Sequence, residues 1–162
     1  MRILLTADTH GPRHRLPSWL LEEAGRADFI VHAGDLCDLA TLSELASVAP
    51  VYAVQGNRDM GLHLPERLWL NLPGISIGVV HGHQGPGGET PERAWQTFLP
   101  RPDVIVFGHS HRYLLERRGS TWLLNPGSPT RPKDGRASAV VVESAEGRLT
   151  WWRADPEGLQ RV

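Results

Sequence analysis

The fold is decided by the stretch Arg2-Ile3-Leu4-Leu5-Thr6-Ala7-Asp8-Thr9-His10, in which a short apolar run ends abruptly in a polar turn. A bounded apolar run of this length is typical of a strand buried on both faces. Two similar runs follow at Phe29 to His32 and Val51 to Val54, and amphipathic helices are predicted between them at Ser18 to Ala24 and Thr41 to Val48. Alternating strands and helices predict a parallel α/β core.

The second half of the chain predicts a different order of strands and helices. Strands are predicted at Ile75 to Val80 and Val104 to Phe107, with a helix between them at Pro91 to Phe98. Short strands joined by tight turns then favour antiparallel additions to the sheets. These last strands are predicted at Tyr113 to Glu116, Thr121 to Leu124, Ala137 to Val142 and Leu149 to Trp152. We find no repeat and no linker, so residues 1–162 are expected to form a single domain.

Composition narrows the class of protein. The 162 residues are 40% hydrophobic and 22% charged, with a formal net charge of −1, which disfavours a nucleic-acid binder that neutralises many phosphates. The single cysteine, Cys37, excludes an intrachain disulfide and fits a reducing compartment. The first apolar run is too short for a signal peptide, and no stretch has the length of a membrane span. A cytoplasmic protein without membrane partners is expected.

Polar side chains with metal-binding atoms follow five predicted strands. Ligand sites of α/β sheets form outside the carboxyl ends of strands, so these residues are expected to meet at one edge. Imidazole nitrogens together with carboxylate and amide oxygens are ligands of divalent transition metals. Seven such groups exceed the needs of one ion and suit two ions that share a carboxylate. They are Asp8, His10, Asp35, Asn57, His81, His109 and His111.

Each fragment alone has a plainer explanation. An Asp-Thr-His sequence is usually a turn or a helix cap, and a single histidine at a strand end is usually structural. The ordered set of five fragments, each at a strand exit, makes the metal interpretation the better one.

The ordered motifs Asp8-x-His10, Gly34-Asp35, Gly56-Asn57, His81 and Gly108-His109-x-His111 resemble the calcineurin-like metallophosphoesterase superfamily. The later Asn125-Pro126-Gly127-Ser128 is similar to a short bacterial and archaeal branch of phosphodiesterases. The resemblance implies an α/β (α+β) four-layer α/β/β/α sandwich with two mixed β-sheets. By motif position it assigns one metal to Asp8, His10 and His111, a second to Asn57, His81 and His109, and the bridging position to Asp35.

The expected activity is hydrolysis of a small phosphate ester, most of all a phosphodiester, by a hydroxide that bridges two divalent metal ions. Manganese is the first expectation for the metal, with iron, nickel, cobalt and zinc as alternatives. Asn57, Arg58 and His83 are the candidate catalytic residues. Many family members carry histidine at the position of Arg58, and arginine cannot donate a proton near neutral pH, although it can contact a phosphoryl group. An orientation of Arg58 towards solvent or towards Asp59 is the alternative.

His83 is assigned either support of the metal ligands or contact with phosphate. Cys37 follows the bridging aspartate and is interpreted as a packing residue. The basic residues near the site either attract an anionic substrate or form a solvated face. They are Arg112, Arg117, Arg118, Arg131, Lys133 and Arg136.

Two other functions stay open. A non-catalytic, protein-binding scaffold would use the same fold, although metal positions are typically eroded in such members. A nuclease is disfavoured by the net charge and by the absence of histidine at position 58. Assembly into a homo-oligomer is also left open.

Overall fold

The computed structural model describes residues 1–11 and 15–162. The described part contains three helices and eleven strands. The helices are α1 (Ser18–Gly25), α2 (Leu39–Ala46) and α3 (Thr90–Thr97). The strands are β1 (Arg2–Thr6), β2 (Phe29–His32), β3 (Val51–Ala53), β4 (Arg67–Leu72), β5 (Ile75–Val80), β6 (Val104–Val106), β7 (Tyr113–Arg118), β8 (Thr121–Pro126), β9 (Ala139–Ala145), β10 (Arg148–Asp155) and β11 (Gly158–Arg161).

The strands form two mixed sheets. The first has the order β11-β10-β9-β1-β2-β3, in which β1, β2 and β3 are parallel and β9, β10 and β11 are antiparallel additions. The second has the order β4-β5-β6-β8-β7, with a parallel centre of β5, β6 and β8 and an antiparallel strand at each edge. This arrangement confirms the parallel start predicted from the sequence and the antiparallel pairing of β7, β9 and β10, whereas β8, predicted as an antiparallel addition, lies parallel to β6.

The two sheets face each other across the main core. Side chains of β1 alternate between its two faces, as the pleat requires. Ile3 and Leu5 pack between the sheets with Ile77 and Val106. Leu4 points the other way and packs with residues of α1 and α2, while α3 covers the outer face of the second sheet. The result is the four-layer α/β/β/α sandwich.

Two edge strands were not predicted. β4 and β11 lie at the ends of the second and first sheets, respectively. In β4 the half-buried Leu68, Leu70 and Leu72 alternate with outward residues that include the exposed Trp69. All four residues of β11 are exposed, so no burial pattern marks it. Edge strands with one unpaired side need little apolar surface, which explains their weak signal.

The start of α2 differs from the predicted start at Thr41. The helix begins at Leu39, and the Asp38 carboxylate accepts a hydrogen bond from the backbone N–H of Thr41. Asp38 is therefore the capping residue, and Thr41 lies within the first turn. The observed α3, Thr90–Thr97, begins one residue earlier than predicted, with proline in its first turn.

Among the described residues, no helix is both long enough and apolar enough to cross a membrane.

Replacing Leu5 with alanine should lower the free energy of unfolding by about 2–5 kcal/mol, because it opens a cavity between the two sheets. Leu5 has no exposed surface. The control is Leu159→Ala in β11, where the side chain is 36% exposed and the expected loss is below about 1 kcal/mol. Urea unfolding followed by circular dichroism measures both. Equal losses would contradict the placement of Leu5 in the core between the sheets.

Candidate metal centre

Four predicted ligands form a first ligand group: Asp8, His10, Asp35 and His111. One ligand atom from each lies within 4.8 Å of the others. His10 Nε2 is 3.0 Å from His111 Nε2 and 3.5 Å from Asp35 Oδ2. Asp8 and His10 follow β1, Asp35 follows β2, and His111 follows β6. The strand exits of both sheets therefore deliver side chains to one point.

A second ligand group lies beside the first and consists of Asn57, His81 and His109. Asn57 Oδ1 is 3.1 Å from His81 Nε2 and 3.1 Å from His109 Nδ1. The Asp35 carboxylate lies between the groups, since its Oδ1 is 3.5 Å from His81 Nε2 while its Oδ2 faces His10. The structure thus brings all seven predicted ligands together, with the predicted bridging residue between two sets of three.

Backbone carbonyls fix the orientation of two imidazoles. His81 Nδ1 is 2.7 Å from Ala33 O, and His111 Nδ1 is 2.8 Å from Arg131 O. A carbonyl oxygen only accepts, so each Nδ1 carries the proton and donates it. In the neutral ring, Nε2 then presents a lone pair to the centre, as in a metal-ligating histidine.

The imidazoles are held in the neutral form. Burial lowers the pKa of His81 to about 3 and that of His10 to about 4. The pKa values of His109 and His111 are lowered as well, again mainly by burial. At neutral pH the site therefore offers lone pairs rather than cations, which is the state that binds a metal ion.

Asp8 provides the strongest test of whether a cation fits. Its carboxylate has no exposed surface, and no side chain among the described residues donates to either oxygen, although the backbone N–H of His109 lies close enough to lower its pKa. Burial, followed by the nearby charge of Asp35, raises the pKa of Asp8 well above its usual range. A buried carboxylate without a side-chain donor is costly. A divalent ion in the first ligand group would supply the missing positive charge, so the residues present fit a metal.

The backbone at the ligands is strained. Positive φ angles are uncommon for residues other than glycine. Eight such residues occur in the described part of the chain, and five of them are predicted ligands. These five are Asp8 (53°), His10 (41°), Asp35 (60°), His109 (67°) and His111 (56°). Strain of this kind clusters at functional sites and persists only where the surroundings enforce it.

Two glycines permit the close approach of the loops. A Cβ at Gly56 would overlap the carboxylate and the backbone nitrogen of Asp35. A Cβ at Gly108 would lie 2.9 Å from Asp8 Oδ2. Both positions exclude any side chain, which gives the Gly-Asn and Gly-His motifs a steric reason.

Asp59 was not predicted as a functional residue, yet it organises two of the ligand loops. It is fully buried and accepts hydrogen bonds from the backbone N–H groups of Asp35, Gly56 and Cys37, each at 2.7 Å. The carboxylate thereby ties the loop after β2 to the loop after β3. The only signal in the sequence was its place at the end of Gly56-Asn57-Arg58-Asp59.

The Asn125 to Ser128 motif braces the remaining loops. Asn125 Nδ2 donates to Gly108 O at 2.8 Å, beside His109. Ser128 Oγ donates to Asp8 O at 2.7 Å and accepts from the backbone N–H of Arg131. These contacts give the motif a physical role, because they hold the loop that carries Asp8 and the loop that carries His109 and His111 in fixed relative positions.

His32, at the end of β2, is buried outside both ligand groups. Its Nδ1 accepts from the backbone N–H of Gly34 at 3.2 Å, which leaves Nε2 to donate to Thr9 Oγ1 at 3.0 Å. Burial lowers its pKa to about 3. His32 is thus a neutral structural residue that joins the first two loops.

Cys37 lies closer to the chemistry than its interpretation as a packing residue suggested. Its Sγ is 3.3 Å from His10 Nδ1, on the side of the ring away from the ligand groups. Burial, with the charge of Asp35, raises the pKa of the thiol to about 11. The thiol therefore stays protonated at neutral pH, which agrees with the absence of a nucleophilic role.

The two remaining catalytic candidates lie at the rim of the centre. Arg58 is exposed and lines the cleft over the ligands, and its backbone N–H donates to Asp35 Oδ1 at 2.8 Å. Asp59 uses its carboxylate on backbone amides rather than on the Arg58 side chain. His83 is half-buried, with its ring centroid 5.2 Å from that of His81 and 6.2 Å from that of His109. It lines a neighbouring cavity on the far side of His81.

Replacing Asp59 with alanine should lower the free energy of unfolding by about 2–4 kcal/mol, because two buried N–H groups and one part-buried N–H group lose their acceptor. It should also weaken manganese binding by about tenfold or more, since the Asp35 and Asn57 loops lose their common anchor. Titration calorimetry measures the affinity. Asp103→Ala is the matched control, because Asp103 accepts the backbone N–H of Ser76 far from the ligands. Unchanged manganese affinity in Asp59→Ala would refute this role.

The buried His32 predicts acid sensitivity of the metal-free protein. A lowered pKa in the folded state contributes stability above pH 6.5, and this contribution is lost as the pH falls towards 3. Between pH 7 and 5 the loss should be about 2 kcal/mol. In EDTA, His32→Gln should therefore lose less stability than wild type over this range. Urea unfolding measures this loss. If the free energies of unfolding of wild type and His32→Gln fall equally between pH 7 and 5, His32 does not titrate in this way.

Comparison with known proteins agrees with the geometry. A probable metallophosphoesterase of Methanocaldococcus jannaschii is 36% identical over 152 residues, which cover 92% of this chain and 78% of the relative. The structure of Vps29 from Entamoeba histolytica in complex with zinc has a TM-score of 0.83 and 26% identity, covering 100% of this chain and 97% of that one. An archaeal phosphodiesterase shares the fold, with a TM-score of 0.74 and 19% identity over 93% of this chain and 98% of its own.

The sequence model of the calcineurin-like phosphoesterase superfamily domain matches residues 1–147, which include every predicted ligand. The chain therefore belongs to the calcineurin-like phosphoesterase superfamily.

Proposed function

We propose that this protein is a hydrolase of phosphate esters, with phosphodiesters as its preferred class, and that it works with two divalent metal ions. The observation that carries the proposal is the buried carboxylate of Asp8, to which no side chain of the described residues donates and which faces the lone pair of His111 Nε2, 3.5 Å from its Oδ1. An arrangement of acceptors alone is unfavourable until a cation enters it.

The ligand groups divide the work of holding the metals. Asp8, His10 and His111 would hold one ion, and Asn57, His81 and His109 the other. Asp35 would contact both, because its two oxygens face different groups. When bound, such ions neutralise charge on a phosphoryl group and make water a nucleophile at neutral pH. Nitrogen and oxygen donors without thiolate suit manganese, with iron, cobalt, nickel or zinc as alternatives.

Arg58 supports the preference for diesters. Its guanidinium keeps its charge and offers paired N–H donors to a phosphoryl oxygen, but it cannot protonate a leaving group. Its position over the cleft and the anchoring of its backbone to Asp35 support a contact between its side chain and the bound ester. Esters with acidic alcohols need no proton on departure, so they should be the best substrates. Asn57 orients the second group, and His83 supports His81 and His109 from the neighbouring cavity.

A non-catalytic scaffold is the second candidate. The observation in its favour is the likeness over the whole chain to Vps29, a protein named for vacuolar protein sorting rather than for catalysis. All seven ligand positions nevertheless carry competent side chains in this chain. Metal content separates the two functions, because a scaffold does not need near-stoichiometric metal to fold or to bind a partner. Assay of a single-stranded oligonucleotide tests the nuclease alternative in the same preparation.

Replacing Asp35 with alanine should remove most of the bound metal, because both ligand groups lose their shared oxygen donors. The rate of bis-p-nitrophenyl phosphate hydrolysis with manganese should fall by about 100-fold or more. Elemental analysis measures the metal, and absorbance of p-nitrophenolate measures the rate.

Glu22→Ala is the matched control, since Glu22 is an exposed acid on α1. It should keep the metal content and the rate of wild type. Wild-type activity in Asp35→Ala would refute the mechanism. A folded wild type that binds no transition metal and cleaves no phosphate ester would favour the scaffold.

A further inference from the structure

The cleft over the ligand groups contains more positive charge than a single phosphodiester would neutralise. It has a volume of about 480 Å³ and is lined, besides five of the ligands and Cys37, by Arg58, Arg131 and Lys133. A phosphodiester carries one negative charge, and Arg58, whose backbone N–H donates to Asp35, is assigned to the scissile group. Arg131 and Lys133 are therefore left for a different anion.

The segment that carries these two cations is fixed to the metal centre. Arg131 O accepts from His111 Nδ1 at 2.8 Å, and the backbone N–H of Lys133 donates to His111 O at 2.9 Å. The backbone N–H of Arg131 also donates to Ser128 Oγ, which in turn donates to Asp8 O. The backbones of Arg131 and Lys133 are thus hydrogen-bonded to His111, a predicted ligand. Their Cα atoms therefore have a fixed position relative to the metal centre.

Neighbouring charges in the same segment are paired, whereas these two are not. Asp134 forms an ion pair with Arg153 at 3.4 Å, and Arg136 pairs with Asp155. Among the described residues, no carboxylate forms an ion pair with Arg131 or Lys133. If Arg131 and Lys133 served only to solvate the surface, we would not expect both to line the substrate cleft while the neighbouring charged residues form ion pairs.

We propose that Arg131 and Lys133 form an anion subsite for a second phosphate group on the same substrate. Guanidinium binds phosphate oxygens through two parallel N–H donors, and ammonium adds a compact charge. The substrate class is then a phosphodiester that carries a further phosphate, such as an ester of a nucleoside bisphosphate. This inference rests on the proposed function, because it concerns the substrate of the same site.

A matched pair of esters tests the subsite. Thymidine 5′-(p-nitrophenyl phosphate) and its 3′-phosphorylated form differ only in the second phosphate. Water adds to the 5′ phosphorus, the P–O bond to the aryl group breaks, and p-nitrophenolate is released from both. With the manganese-loaded protein, the KM of the 3′-phosphorylated ester should be about tenfold lower, and kcat should change less.

Three variants locate the effect. Arg131→Met and Lys133→Met should each remove most of the preference, whereas Arg112→Met should keep it. Arg112 is exposed and follows His111, but it does not line the cleft, so this control removes the same charge nearby. Metal content and thermal unfolding should match wild type in all three. No preference in wild type, or the same loss in Arg112→Met, would refute the subsite.

Binding separates this proposal from the proposed function. Calorimetry of the manganese-loaded protein compares adenosine 3′,5′-bisphosphate with adenosine 5′-phosphate. Tighter binding of the bisphosphate that depends on Lys133, without hydrolysis of any ester, would support the subsite and refute the hydrolase. Hydrolysis of both thymidine esters with equal KM values would support the hydrolase and refute the subsite.

Discussion

The convergence of lone pairs from separate loops is the constraint on which the rest of this structure depends. Two imidazoles are oriented by backbone carbonyls, so that each ring directs an unprotonated nitrogen to the centre. Asp8 adds two buried oxygens to which no side chain donates among the described residues. Burial also lowers the pKa values of the ring nitrogens, so the rings do not relieve the arrangement by protonation. Such an arrangement of acceptors has to be held rigidly by the fold, and a bound cation would stabilise it further.

Rigidity comes from hydrogen bonds that join one loop to another. Asp59 links the loops after β2 and β3, and Ser128 links the Asp8 loop to the segment that supports His111. His32 joins Thr9 to Gly34. Each brace is a buried polar group with satisfied partners, so each would be expensive to break. The parallel strands bring the loops together, and the braces fix their positions relative to one another.

The sequence was sufficient to predict the features that repeat along the chain or that follow directly from the end of one strand. The runs after which Asp8, Asp35 and His81 appear are strongly apolar, and parallel strands end at a common edge, so the convergence of ligands was predictable. Contacts between loops that are distant in the sequence were not predictable. Nothing local distinguishes Asp59 from an ordinary turn aspartate, although it accepts a hydrogen bond from Asp35, 24 residues earlier. Cys37 likewise resembled a packing residue until its distance to His10 was known.

Local sequence patterns gave a wrong start for α2 and missed the strand β4. Asp38 and Thr41 are both suitable caps, and the first is used because its carboxylate reaches the backbone N–H of the second. The edge strand β4 escaped prediction because Trp69, on its outward face, blurs the alternation between apolar and polar positions.

The cost of the ligand conformations bears on the choice between enzyme and scaffold. A strained backbone residue costs about 1–3 kcal/mol, and five predicted ligands take positive φ angles. Their sum is comparable to the whole stability of a domain, about 5–15 kcal/mol. A protein that only presented a surface to a partner would gain stability by relaxing these loops to ordinary conformations. The buried Asp8 carboxylate and the neutral imidazoles favour the enzyme instead, because a bound cation would offset the charge of the first and accept the lone pairs of the second.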